Sequence, residues 1–77
     1  MKQKYEYHLT IDGMMCGMCE AHVNNIVYKN FPQVKKVKSS ARKNQTKIIS
    51  LVPLDLDELK NKIDETGYIV KNIESIN

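Results

Sequence analysis

The sequence predicts an α+β sandwich with elements in the order strand, helix, strand, strand, helix, strand. Three observations predict it. Apolar and polar residues alternate from Tyr5 to Ile11, a period of two. A helical period begins at Cys19, and a second one follows Asp55. Between the two helical patterns lie two short β-branched runs separated by Lys43-Asn44-Gln45, a turn composition.

Tyr5, Tyr7, Leu9 and Ile11 alternate with Glu6, His8 and Thr10, which reads as a half-buried strand of about seven residues. Leu9 and Ile11 are expected in the core, and His8 on the polar face. Asp12-Gly13 ends the strand. Cys19, Val23, Ile26, Val27, Asn30 and Phe31 then share one helical stripe. Glu20 near the start and Lys29 near the end suit the helix dipole. Pro32 cannot continue this helix and disfavours helical geometry at Phe31.

Val34 to Ala41 reads as a second strand, with Val37, Ser39 and Ala41 on one side and lysines on the other. Ser39 is an unusual inward residue and suggests either a register slip or a loose centre. Thr46 to Val52 reads as a third strand, in which the pattern does not choose between Ile48 and Ile49 as the inward residue. Asp55 is a good N-cap, and Glu58 three positions on completes a capping-box spacing. Leu56, Leu59 and Ile63 form the stripe of the second helix, and Gly67 stops it. Tyr68, Val70 and Ile73 mark a last strand.

This order is the ferredoxin-like βαββαβ arrangement, a four-stranded antiparallel sheet with two helices on one face. Each strand–helix–strand half is a crossover, which makes its two strands parallel neighbours. One domain over residues 1–77 is expected, and a chain this short buries only roughly 60% of its unfolded surface.

Apolar residues make up 42% and charged residues 27%, which argues against disorder. No apolar run approaches the roughly 20 residues of a membrane span, so direct membrane insertion is not expected. The alternation from Tyr5 to Thr10 lacks the apolar core of a signal peptide, and a cytoplasmic protein is expected. Net charge is +3. Ala21 to Leu54 holds no carboxylate but carries Lys29, Lys35, Lys36, Lys38, Arg42, Lys43 and Lys47. Such a region steers toward an acidic partner or serves as a solvated surface. No aromatic residue is interleaved with the central lysines, which weighs against nucleic acid.

The two cysteines, Cys16 and Cys19, stand in Gly13-Met14-Met15-Cys16-Gly17-Met18-Cys19, where the strand pattern gives way to the helical one. Thiols at this spacing can close on one soft metal ion or on each other as a disulfide. Thiolates bind metal and form more readily beside a helix N-terminus. Two sulfurs without further obvious protein ligands favour a soft ion of low coordination number, Cu(I) first. Structural Zn(II) wants four ligands. Thioredoxin-like redox domains usually need a longer chain and a different element order. Metal binding is therefore preferred over redox chemistry. His22 could reach the side of the helix that carries Cys19, but its plainer role is a solvent-facing residue.

The seven-residue stretch resembles the GMxCxxC signature of heavy-metal-associated domains, found in small copper chaperones and in the N-terminal domains of metal-transporting P-type ATPases. The resemblance extends over nearly the whole chain, to Gly67-Tyr68 in the late loop. It implies a metallochaperone, not an enzyme, that holds Cu(I) between Cys16 and Cys19. The ion would pass by ligand exchange to a similar pair on a copper-transporting P-type ATPase, docked through an acidic face. Met14 matches the motif methionine, which packs beneath the loop. Tyr68 matches a late-loop aromatic near the metal. Met15 replaces a frequent Thr and is expected to flank the loop on the surface. The same position is often Asp in zinc-type domains, so Met15 favours Cu(I). Met18 is expected as an exposed docking residue, with a weak thioether contact to metal as its alternative. Carriers of Hg(II), Cd(II) or Zn(II) share this fold and form the second reading. A metal-bridged homodimer is also compatible with the resemblance. A thiol–disulfide module and a regulatory domain with vestigial affinity are the remaining alternatives.

Overall fold

The computed structural model describes residues 4–15 and 17–76. Its elements are β1 (Tyr5–Asp12), α1 (Gly17–Asn30), β2 (Val34–Ser40), β3 (Gln45–Ser50), α2 (Leu56–Asp64) and β4 (Ile69–Ile76). This is the α+β order expected for a ferredoxin-like chain. No helix is long and apolar enough to cross a membrane among the described residues.

The strands lie in the order β2-β3-β1-β4, and every neighbouring pair is antiparallel. The expectation that each crossover joins parallel neighbours is therefore wrong. β3 separates β1 from β2, and β1 separates β3 from β4. Interleaving the two halves gives every strand antiparallel partners and places β1 and β3 at the centre.

One continuous core fills the space between sheet and helices. β1 contributes Tyr7, Leu9 and Ile11, α1 contributes Val23, Ile26 and Val27, and α2 contributes Leu59 and Ile63. Each such aliphatic side chain stabilises the fold by about 1.5–3 kcal/mol relative to exposure. In β3 the inward residues are Thr46, Ile48 and Ser50, which settles the choice between Ile48 and Ile49.

Both edge strands carry an irregularity that period-two reading does not anticipate. In β2 the register shifts between Val34 and Lys36, so Val34 and Val37 are both buried although three residues apart. In β4, Thr10 faces Asn72 and Ile11 faces Val70, which leaves Lys71 as the extra residue. Val70 and Ile73 then both point inward across a bulge.

Ser39 keeps the inward register without a slip. Its hydroxyl donates to Asn24 Oδ1 of α1 at 2.7 Å and shares a 2.9 Å bond with Thr46 Oγ1 of β3. A small polar network replaces an aliphatic contact there. β3 ends at Ser50 rather than Val52, because the Ser50 hydroxyl donates to Val52 O and accepts from Val52 N, turning the chain. Asn30 is exposed rather than part of the α1 stripe, and its amide folds back to Ile26 O at 2.8 Å. α2 begins as its sequence indicates: the Asp55 carboxylate accepts from Asp57 N and Glu58 N.

Candidate metal centre

The β1–α1 connection is built from below. Met14 is 4% exposed and belongs to the core, so the loop is anchored before it reaches the cysteines. A flexible thioether suits the irregular space under a loop. Gly13 has φ +107°, a left-handed conformation that L side chains rarely adopt. A Cβ there would also come within 3.2 Å of Tyr68 Cδ1. Glycine thus lets the loop lie directly against the Tyr68 ring.

Cys19 occupies the first turn of α1, half-buried and packed against the core. Cys16, the other candidate ligand, lies outside the described residues. Met15 and Met18 flank this turn at 87% and 82% exposure, unusually high for large apolar side chains. Among the described residues, no three His, Cys, Asp or Glu side chains converge as a metal-binding group.

His22 lies one turn beyond Cys19 and is exposed. Its Nδ1 shares a 3.1 Å hydrogen bond with the Tyr68 hydroxyl, and the rings meet edge-on with centroids 5.6 Å apart. With Nδ1 engaged, only Nε2 remains for a ligand. Tyr68 therefore touches both sides of the connection, Gly13 before it and His22 after it. The tyrosine is half-buried just ahead of β4, positioned by Gly67 at φ +101°.

One support escaped sequence reading. Glu20, also in the first turn of α1, accepts from Ala41 N at 2.6 Å and so ties the helix start to the β2–β3 turn. The same turn receives β1, since Ile11 N donates to Asn44 O at 2.8 Å. The only sequence signal was the placement of an acid in a first helical turn, which points to the dipole and not to a partner 21 residues away.

No family model matches the sequence, and no curated protein matches it. Solved structures do resemble the fold. A CopZ metallochaperone is 23% identical with a TM-score of 0.73, covering 84% of this chain and 97% of its own. A copper-binding domain from a P-type ATPase is 20% identical with a TM-score of 0.70, covering 95% of each chain. The N-terminal domain of ZntA in its Zn(II) form is 18% identical with a TM-score of 0.75, covering 87% of this chain and 89% of its own. The chain has the fold of these heavy-metal-associated domains.

Proposed function

We propose that this chain is a heavy-metal-associated domain acting as a metallochaperone, with Cu(I) as cargo bound by Cys16 and Cys19. The observation that carries the reading is the placement of Cys19 in the first turn of α1, beside a connection anchored by buried Met14 and braced by Tyr68. A soft ion held by two sulfurs remains open to attack by a third, so it can be handed over without passing through water. Two sulfur ligands suit a low-coordinate thiophilic ion, whereas structural Zn(II) normally takes four ligands.

The recipient in this reading is a metal-binding domain of a copper-transporting P-type ATPase, and transfer takes place in the cytoplasm. Exposed Met15 and Met18 would contact the partner close to the exchanging sulfurs. The excess of lysine would draw an acidic face toward the site over longer range. No step in this reading makes the chain an enzyme.

A carrier for Zn(II) or another thiophilic ion is the second reading, because the same fold occurs in a Zn(II)-form domain. Native mass spectrometry of reduced protein offered Cu(I), Zn(II), Cd(II) and Hg(II) together separates the two. Retention of one Cu(I) supports the first reading. Preferential loading of another ion replaces it with the second.

A further inference from the structure

The solvent face of the β2–β3 hairpin has no direct part in metal binding as proposed above. Lys38 and Lys47 are direct cross-strand partners there. Their neighbours Val37, Thr46 and Ile48 are buried, so both lysines stand on the face away from the helices. Like charges placed opposite each other weaken a strand pair. Neither lysine makes an ion pair among the described residues, and no carboxylate occurs between Ala21 and Leu54.

Toward the turn, the next pair on this face is Ser40 and Gln45, beyond the inward pair Ser39 and Thr46, and Lys43 lies in the turn itself. These five residues line a concavity of about 100 Å³. That is well above the roughly 10–15 Å³ that admits one water. Every charged side chain in the lining is cationic. Ser40 Oγ accepts from Lys43 N at 3.4 Å, which leaves its hydroxyl proton to donate. Gln45 adds an amide donor. A small hollow lined by three lysines and by two neutral residues that carry donor groups suits an anion with several acceptor oxygens.

We propose that this hollow binds a phosphate-class oxyanion, carried either by a free phosphate or by a lipid headgroup. The proposal does not depend on the metal reading. The hollow lies on the sheet face opposite the helices, next to the turn that meets Glu20 and Ile11.

The test is amide NMR of the full chain, titrated with inorganic phosphate while chloride holds ionic strength constant. A second arm uses phosphatidylglycerol-containing vesicles against pure phosphatidylcholine. Saturable shifts centred on residues 38–47, weakened about tenfold or more in a Lys38→Gln, Lys47→Gln double variant, are expected. Lys29→Gln should leave them intact. A response to inorganic phosphate assigns the free ligand, and a variant-sensitive response to anionic vesicles alone assigns the headgroup. The double variant removes a repulsive pair, so its melting temperature should match or exceed that of the parent and show that it folds. The proposal is overturned if neither phosphate source shifts these amides, if chloride is as effective, if the double variant binds undiminished, or if only polyglutamate binds.

Discussion

The Tyr68 hydroxyl lies 3.1 Å from His22 Nδ1, a bond between residues 46 positions apart that fixes the late loop against the helix carrying Cys19. The same ring lies over Gly13, so one side chain braces both sides of the β1–α1 connection. Tyr68→Phe keeps the ring and loses the hydroxyl. It should cost about 0.5–1.5 kcal/mol of stability, toward the lower end because the bond is exposed. Chemical denaturation of the metal-free protein measures it, and a loss equal to that of Tyr68→Ala would show that the bond and not the ring matters.

Gly13→Ala should be the more damaging change in this connection. It combines an unfavourable φ with a Cβ 3.2 Å from the Tyr68 ring, and a loss of roughly 1–3 kcal/mol is expected. Gly17→Ala meets nothing within 4 Å and should be neutral or stabilising by up to about 1 kcal/mol. Equal effects of the two substitutions on the melting temperature would contradict this account.

The Ser39 network predicts a sign reversal. Ser39→Ala strips the fully buried Thr46 hydroxyl of its Ser39 contact and should cost about 1–3 kcal/mol. Replacing both residues by Val removes both polar groups and should cost less than the single change. A double variant with summed losses would show that the hydroxyls are not coupled. The comparison is read from denaturant midpoints.

Asp64 predicts a pH dependence. Lys60 Nζ donates to its carboxylate at 2.6 Å and Val70 N at 3.0 Å, and together they hold the carboxyl below its usual range. A folded pKa below the unfolded one stabilises the protein fully above the unfolded value, near about 4. That contribution disappears as pH falls through the lower folded value. Asp64→Asn should therefore be less stable than the parent at neutral pH, with the gap closing below about pH 4. Thermal melts across that range test it, and a gap independent of pH would contradict it.

Much of the fold was legible from local chemistry. The alternation around Leu9 and Ile11, the Asp55 cap and the apolar stripes of both helices are short-range signals, and each occurs where the pattern placed it except at Asn30, which leaves the α1 stripe for solvent. Strand neighbours were not legible, because a crossover sets direction without saying which strand is inserted between. The bulges near Lys35 and Lys71 defeated strict alternation by placing inward residues three apart. At the site, Gly13 and the cysteine spacing were visible in sequence, whereas the Glu20–Ala41 and His22–Tyr68 contacts arise only from tertiary folding. Cys16 lies outside the described residues, so its role continues to rest on the motif.

The most direct test of the metallochaperone reading is a Cu(I)-chelator competition on reduced protein, comparing the parent with the Cys16→Ser, Cys19→Ser variant. The account predicts that the parent withdraws one Cu(I) per chain from the chelator and that the variant withdraws none. Equal Cu(I) retention by the variant would contradict it.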